Sequence, residues 1–277
     1  MQRNIKNLLT FDIEEWYDAN YPEVDFHKYE KTPSLLEPDV DMIIDLCARY
    51  GVRATCFVLG TIARKHPKIV KKLHNAGHEI ASHGYDHDLI YKMSPDYFEQ
   101  QLKMSCKVLE NITGEKVLGF RAPSWSVKKE NLDWYYNILE NEGLKYSSSV
   151  FPTFTGLYGM SEDPQMHHPE INNKKLNIWE VPPSITSILK KKVGFYFRLF
   201  PFWYIKKHIK KINKNGKPVL IYIHPRELDP ALPKLKLDFP ENIIHYWGVK
   251  TDKQKLVKSL SVFSQTFCRI DDFINEG

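Results

Sequence analysis

Four side chains that could bind a divalent metal lie in two short segments of the sequence. Asp12 and Glu14 alternate in TFDIEEW at the end of a predicted strand, so both point to the same face. His83 and His87 stand four apart in SHGYDH, and one helical turn would bring both imidazoles to one ion. Two neutral imidazoles and one carboxylate, with a position left for water, are typical of a catalytic zinc site.

The spacing of the two histidines is weak evidence by itself, because the chain contains 11 histidines and short motifs recur by chance. A second pair, His74 and His78, has the same spacing, but Gly77 between them is typical of a helix end. We therefore interpret His74 and His78 as structural. His167 and His168 lie in a predicted long loop, where we interpret them as solvated, with an accessory metal ligand as the alternative.

The composition indicates an ordinary soluble globular protein. Of the 277 residues, 42% are hydrophobic and 26% are charged, and the formal net charge is +5. This modest positive charge is compatible with an anionic lipid surface or a phosphorylated substrate, so a peripheral position at a membrane is one expectation. Nothing in the sequence resembles a nucleic-acid-binding module. The length suits one large α/β barrel or two small domains.

Cysteine usage and the lack of long apolar runs predict a cytoplasmic protein. The four cysteines have neither CxxC spacing nor the spacing of a disulfide framework, which favours a reducing compartment. The N-terminal residues lack the apolar stretch of an export signal. No run reaches the roughly 18 apolar residues of a membrane span.

Short apolar runs alternate with amphipathic runs along the chain. The predicted strands cover residues 8–13, 54–59, 79–82, 117–120, 146–150, 178–181 and 218–223, and the predicted helices cover 38–50, 61–75, 94–112, 131–141 and 202–213. Residues 155–175 and 225–246 are predicted long loops. Repeated βα units imply a parallel sheet, and about seven of them favour a distorted (β/α) barrel formed by one domain over residues 1–277.

The candidate catalytic residues all lie at the C-terminal ends of predicted strands, where an α/β barrel carries its chemistry. This joint placement is stronger evidence than any single motif, because random polar residues would also fall in helices and at strand starts. The residues are Asp12, Glu14, His83, Arg121, Glu180 and His224.

Four motifs resemble those of the polysaccharide deacetylase family, also called the NodB-homology or carbohydrate esterase family 4 group, over almost the whole chain. They are TFDIE at 10–14, SHGYDH at 82–87, FRAPSW at 120–125 and YIHP at 222–225. The D-x-E spacing of Asp12 and Glu14 resembles the subgroup found with exopolysaccharide and O-antigen gene clusters. The resemblance implies a NodB-type barrel and hydrolysis of the N-acetyl group of an amino sugar.

The resemblance also implies a role for each matching residue. Asp12 would be the base, Arg121 would orient it, and His224 would be the general acid. One divalent metal, with Zn²⁺ favoured, would be held by Glu14, His83 and His87.

Elementary chemistry agrees with these roles. An arginine can hold Asp12 ionised through a bidentate pair, and an amine is a very poor leaving group until it is protonated. A backbone N–H near Ser124 would stabilise the oxyanion. Glu180 is the predicted carboxylate behind His224, where it would fix the imidazole tautomer, and a structural ion pair is its alternative.

The predicted substrate is an N-acetylated sugar in a glycan or glycan precursor, linked to a nucleotide, a lipid or an oligosaccharide. Another amidohydrolase, such as a deformylase or a cyclic-amide hydrolase, is one alternative, and a catalytically silent carbohydrate-binding protein is the other. The complete set of candidate residues argues against the silent protein.

Two features stand apart from this interpretation. Ser147 occupies a position where the subgroup usually has Asp, so one carboxylate of the subgroup is missing. Residues 195–203 contain six aromatic side chains, which predict either a buried cap on the barrel or a lid for a sugar or a lipid.

Overall fold

The computed structural model describes residues 5–18, 20, 28–29, 31–153, 166–171, 174–188, 191–194 and 197–276. Its strands are β1 (Asn7–Ile13), β2 (Thr55–Val58), β3 (Glu79–Ser82), β4 (Gly119–Phe120), β5 (Tyr146–Ser147), β6 (Glu170–Ile171), β7 (Lys174–Lys175), β8 (Trp179–Glu180), β9 (Ile185–Ile188), β10 (Lys191–Gly194), β11 (Leu220–Ile223) and β12 (Phe267–Cys268).

Helices follow most strands of the main sheet along the chain and pack against it. They are α1 (Leu36–Arg49), α2 (Gly60–Lys65), α3 (Pro67–Asn75), α4 (Pro95–Thr113), α5 (Leu132–Asn141), α6 (Phe202–Lys214), α7 (Glu241–Tyr246), α8 (Val249–Phe263) and α9 (Ile270–Glu276). Among the described helices, none has both the length and the apolar composition that a membrane span requires.

The main sheet has the strand order β11-β1-β2-β3-β4-β5-β8, and every pairing along it is parallel. Seven parallel strands therefore curl into an open half-barrel with helices outside, which confirms the predicted distorted (β/α) barrel. β12 pairs with Asn7 and Leu8, the first two residues of β1, whereas β2 pairs with β1 from Thr10 onward. The single-domain prediction stays a prediction.

β1 lies between β11 and β2 in this sheet. All seven of its residues are buried, as expected for a parallel strand with both faces covered. In the register, Phe11 lies opposite Ile223 of β11 and Cys56 of β2. The C-terminal ends of β11, β1 and β2 therefore meet at the same mouth of the half-barrel.

The opposite ends of the strand order, β8 and β11, are the borders of the half-barrel. The seam between them contains an apolar cavity of about 440 Å³. Met166, Trp179 and Phe273 are among its lining residues, together with Leu8 of β1. Among the described strands β8 and β11 do not pair with each other, so the half-barrel stays open on this side, with the cavity between its borders.

Two helix predictions had different outcomes. α4 begins as expected, with Ser94 Oγ accepting a hydrogen bond from the Tyr97 amide (3.2 Å), and it ends at Gly114, whose φ is +76°. The single helix predicted over 61–75 is wrong, because the structure has α2 and α3 with a break at His66. Pro67 cannot donate the amide hydrogen bond that a continuous helix needs, and it disfavours helical geometry in the residue before it.

The C-terminal half contains more regular structure than expected. The predicted loop at 225–246 includes a 3₁₀ turn, Pro225–Leu228, and α7. The β9–β10 hairpin, α8, α9 and β12 had no predicted counterpart. Residues 154–165 of the other predicted loop lie outside the described residues, as do Phe195 and Tyr196 of the aromatic segment.

Candidate active site

The three predicted metal ligands converge at the mouth of the half-barrel. One ligand atom from each of Glu14, His83 and His87 lies within 4.8 Å of the other two. Glu14 Oε2 is 3.0 Å from His87 Nε2 and 3.5 Å from His83 Nε2. The donors are two imidazole nitrogens and one carboxylate oxygen, a set that suits zinc and leaves positions open.

The surroundings of Glu14 Oε2 indicate whether a metal fits this site. This oxygen is buried and has no hydrogen-bond partner within the described residues, although it faces two imidazoles. An unpaired carboxylate oxygen in a buried site is costly unless a cation or a donor meets it. The residues present therefore fit a divalent cation, held by Glu14, His83 and His87.

The second oxygen of Glu14 is held by a residue that the sequence prediction missed. Arg226 donates from Nη1 to Glu14 Oε1, and both side chains are almost fully buried. Burial by itself raises the pKa of Glu14, but Arg226, His87 and His224 outweigh it and hold that pKa well below its usual value. Glu14 is thus kept ionised, with Oε2 free for the metal.

Backbone and side-chain contacts orient the two histidines. His83 Nδ1 lies 2.8 Å from the carbonyl oxygen of Arg121, which can only accept, so this nitrogen carries the proton and Nε2 is free as a ligand. His87 Nδ1 contacts the side-chain amide of Asn20 at 3.1 Å. The predicted helical turn is wrong: Gly84 has a φ of +90°, and the segment after β3 forms a bend that brings the imidazoles together.

The predicted base and its arginine lie beside the metal ligands. Asp12 Oδ1 accepts from Arg121 Nη1 at 2.6 Å, and both side chains are buried. The predicted bidentate pair is not formed. Nη1 also donates to Thr10 Oγ1 (2.9 Å), while Nη2 donates to Ser148 Oγ (2.9 Å) and Nε donates to the Ser148 carbonyl (3.3 Å). Asp12 Oδ2 therefore remains available for chemistry.

Arg121 is also enclosed by aromatic rings. Its guanidinium carbon lies 4.0 Å from the centre of the Phe57 ring and 4.8 Å from that of Trp125. Because the same residue holds Asp12 with its side chain and His83 with its carbonyl oxygen, Arg121 fixes the base relative to the metal ligands.

The predicted acid, His224, lies closer to the base than expected. We predicted His224 across the mouth from Asp12, but β11 pairs directly with β1, so the two residues are neighbours. His224 Nε2 is 4.0 Å from Asp12 Oδ2 and 3.4 Å from Glu14 Oε1. A substrate bound at the mouth would therefore meet both groups close together.

The carboxylate behind His224 is Glu227, not Glu180. Glu227 Oε1 is 3.4 Å from His224 Nδ1 and 3.1 Å from Arg198 Nε, while Oε2 accepts from the His224 amide. Burial raises the pKa of Glu227, but His224, Arg198 and Arg226 outweigh it, so the net pKa is lowered. Glu227 was missed although it follows His224 by three residues, a spacing that fits a single turn.

Glu180 has a different position, because β8 is the far border of the sheet from β11. Its Oε1 accepts from the amides of Ser149 and Val150 at 2.8 and 2.9 Å, and Oε2 accepts from the Tyr136 hydroxyl at 2.9 Å. The side chain is fully buried. Glu180 thus holds the segment after β5, which carries the Ser148 that contacts Arg121.

These contacts predict that Glu180 stabilises the fold. Replacing Glu180 by Ala would leave two buried amides unpaired, and we expect the free energy of unfolding to fall by about 3 kcal/mol. Urea denaturation measures this change. Tyr136→Phe, which removes one hydroxyl, should lower the free energy by only about 1 kcal/mol. An unchanged urea midpoint for Glu180→Ala would contradict the assignment.

Ser147 at the end of β5 and the two serines that follow it each have a different partner. Ser147 Oγ contacts the Tyr135 hydroxyl at 2.9 Å, away from Asp12, and is fully buried. Ser149 Oγ accepts from the Ala122 amide at 2.9 Å. Ser148, between them, is the residue that contacts Arg121, so the group at position 147 packs in the sheet and not against the base.

The other histidines that the sequence analysis singled out lie outside the metal-ligand cluster. His78 is buried and its Nδ1 accepts from the Ala54 amide at 3.1 Å, while burial lowers its pKa to about 4. This agrees with a structural role. His168 stacks on Trp179 at 3.9 Å, and the backbone of His167 pairs with Glu180. Both histidines therefore pack along β8, outside the cluster of Glu14, His83 and His87.

The turn after β4 has a strained backbone at the mouth. Ser124 and Trp125 have φ values of +51° and +52°, which non-glycine residues rarely adopt. Trp125 packs edge-on against Tyr222 at 5.3 Å. Asn20 donates to Ser124 Oγ at 2.9 Å and so connects this turn to His87. The predicted oxyanion N–H near Ser124 stays a prediction.

Comparison with known sequences agrees with this geometry. Residues 8–144 match the family described as polysaccharide deacetylase, and residues 148–275 match a domain of unknown function, DUF3473. A peptidoglycan-N-acetylglucosamine deacetylase of Bacillus cereus is 32% identical over 100 residues, which cover 35% of this chain and 36% of that protein. The chain spans about a third of the length of the curated relatives it matches.

Two solved structures share the fold. A Mycobacterium smegmatis structure, provisionally assigned as a polysaccharide deacetylase, has a TM-score of 0.66 at 17% identity and covers 100% of this chain and 91% of its own. An allantoinase has a TM-score of 0.64 at 15% identity, with coverage of 97% and 88%. Residues 8–144, about half of the chain, therefore belong to the polysaccharide deacetylase family, whose model they match.

Proposed function

We propose that this chain is a metal-dependent carbohydrate N-deacetylase that removes an acetyl group from an amino sugar. The observation that carries the proposal is the convergence of a metal-ligand set, a base and an acid. Glu14, His83 and His87 face one another, while His224 Nε2 lies 4.0 Å from Asp12 Oδ2. A bound divalent metal would supply Lewis acidity toward the amide carbonyl.

Asp12 is the residue that accepts the proton of the attacking water. Arg121 holds Oδ1, so Oδ2 is the oxygen that faces the mouth and takes the proton. The buried guanidinium also fixes the orientation of the carboxylate, which keeps Oδ2 in place through the reaction.

His224 is the residue that returns a proton to the departing amine. Its Nε2 points into the mouth, and Glu227 lies at its other nitrogen, where a carboxylate stabilises the imidazolium. Arg198 in turn holds Glu227 at 3.1 Å. Base and acid thus lie beside one another at the mouth, each fixed by a buried partner.

The substrate class follows from the family and from the sequence of the first motif. The Bacillus cereus relative is a peptidoglycan-N-acetylglucosamine deacetylase, which supports an N-acetylated amino sugar as the substrate. The D-x-E spacing of Asp12 and Glu14 resembles the subgroup found with exopolysaccharide and O-antigen gene clusters, which supports a glycan precursor as the substrate. The four free cysteines favour a reducing compartment, and so processing in the cytoplasm.

Mass spectrometry of acetylated sugars tests this proposal. Zinc-loaded protein is incubated with a nucleotide-linked N-acetyl sugar, a lipid-linked one and an N-acetylglucosamine oligosaccharide, and we expect loss of one acetyl group from at least one of them. Asp12→Asn protein is the matched control. Turnover of allantoin without deacetylation of any sugar would favour a cyclic-amide hydrolase. The solved allantoinase shares the fold of this chain. Sugar binding without turnover would favour the silent protein.

The role of His224 gives a prediction about leaving groups. His224→Ala should slow hydrolysis of an N-acetyl sugar by about 10²-fold to 10⁴-fold, because the amine needs a proton to depart. Hydrolysis of an activated aryl acetate, whose phenolate leaves unprotonated, should slow by less than about tenfold. Parallel kcat measurements on both substrates check the difference. Equal losses would show that His224 only shapes the mouth.

A further inference from the structure

The positive charge of this chain is concentrated in one segment. Residues 181–226 contain eleven Lys and Arg and no Asp or Glu. Because the formal net charge of the whole chain is only +5, the remaining residues together are net negative. The segment includes the β9–β10 hairpin, α6 and β11, so α6 presents its charge on a protein that is otherwise acidic.

α6 carries a strongly divided surface. Ile205 and Ile209 are fully buried against the barrel. The opposite side carries residues at positions i, i+4, i+7 and i+11, a spacing that places them on one helix face. This lysine face consists of Trp203, Lys207, Lys210 and Lys214, and all four are exposed.

The lysine face has no internal partner that would explain its charge. Within the part of the chain that the structure describes, Lys207, Lys210 and Lys214 form no ion pair with a carboxylate. Trp203 has 66% of its surface exposed at the beginning of the helix. A large exposed indole beside unpaired lysines is unusual for a surface that meets only water.

A second exposed tryptophan lies on a neighbouring segment. Arg198, which precedes α6, donates to the His245 carbonyl at 2.5 Å, and Trp247 follows two residues later with 59% of its surface exposed. Phe239 and Ile243 on the same segment are 77% and 49% exposed. Arg198 also contacts Glu227, so the start of α6 lies on the mouth side of the barrel.

We propose that the lysine face, with Trp203 at its mouth end, docks on an anionic lipid bilayer. Lysines are attracted to the negative surface potential of such a membrane, and tryptophan favours the boundary between headgroups and acyl chains. A soluble polyanion would satisfy the lysines but would leave Trp203 and Trp247 in water. Docking by this face lays the outer side of α6 along the membrane, with the Trp203 end of the helix nearest the mouth.

Vesicle co-sedimentation of the full chain tests the proposal independently of any enzymatic activity. Vesicles of phosphatidylcholine mixed with phosphatidylglycerol should bind the protein, and vesicles of phosphatidylcholine alone should bind at least about tenfold more weakly. Reversing three charges with Lys207→Glu, Lys210→Glu and Lys214→Glu should weaken binding to the anionic vesicles by about a hundredfold. Added salt should weaken the binding of the unmodified protein.

A matched triple variant controls for net charge. Lys68, Lys71 and Lys107 are exposed on α3 and α4, and changing all three to Glu gives the same change in charge away from α6. This control should lose less than about threefold in affinity, whereas Trp203→Ser should lose about tenfold and keep the salt dependence. Equal losses in the two triple variants would overturn the proposal. So would failure to bind anionic vesicles, or binding of heparin in preference to them.

Discussion

His83→Ala should remove the bound divalent metal and abolish deacetylation while the fold remains. His83 supplies one of three ligand atoms that lie within 4.8 Å of one another. Losing the Lewis acid raises the barrier by about 4 kcal/mol or more, which is a rate loss of about a thousandfold or greater. Elemental analysis of dialysed protein measures the metal, and kcat measures the activity.

A matched histidine variant sharpens this experiment. His74 lies on α3, is half-buried and stands outside the ligand cluster, so His74→Ala should keep both the metal and the rate. His83→Ala also leaves the Arg121 carbonyl without its partner, and the free energy of unfolding should fall by about 1–3 kcal/mol. One tightly held ion per chain in folded His83→Ala protein would rule out the ligand assignment.

Asp12→Asn should keep the metal and lose most turnover. Asn is nearly isosteric with Asp. Its amide oxygen can still accept from Arg121 Nη1, which lies 2.6 Å from Asp12 Oδ1 in the unmodified protein. The amide cannot accept the proton of the attacking water, so kcat should fall by about 10²-fold to 10⁴-fold with little change in metal content. Steady-state kinetics and elemental analysis of the same preparation separate the two effects.

Asp39→Asn is the appropriate control for that variant. Asp39 is also buried, in the first turn of α1, and burial together with Asp229 and Glu15 raises its pKa to about 7. A neutral side chain is therefore already tolerated at this position, and the rate should change by less than about threefold. If Asp12→Asn retained a comparable rate, another group would have to be the base.

The alternation of residues along a strand was enough to predict part of this site. Asp12 and Glu14 point to one face because successive side chains of β1 alternate, and β1 ends where expected. His83 and His87 also meet, but through a bend at Gly84 and not through a helix. Spacing in sequence can therefore bring two ligands together in more than one local structure.

Other features could not be predicted because they depend on the order of strands in the sheet. Glu180 ends a strand, as its pattern indicated, but that strand is the border furthest from β11. The partner of His224 is Glu227, which needs no neighbouring strand. Arg226 reaches Glu14 only because β11 lies beside β1. A single sequence gives the strands but not which of them are neighbours.

The pairing of β1 with β11 has a consequence for folding during synthesis on the ribosome. Leu8 pairs with Leu220, and Asn7 with Phe267, so one edge of β1 stays uncovered until these two distant segments have been synthesised. Contacts so distant in sequence slow folding and leave an open strand edge exposed to other chains. During synthesis Glu14, His83 and His87 thus all emerge before His224, and the acid can join the base only after β11 has been made and has paired with β1.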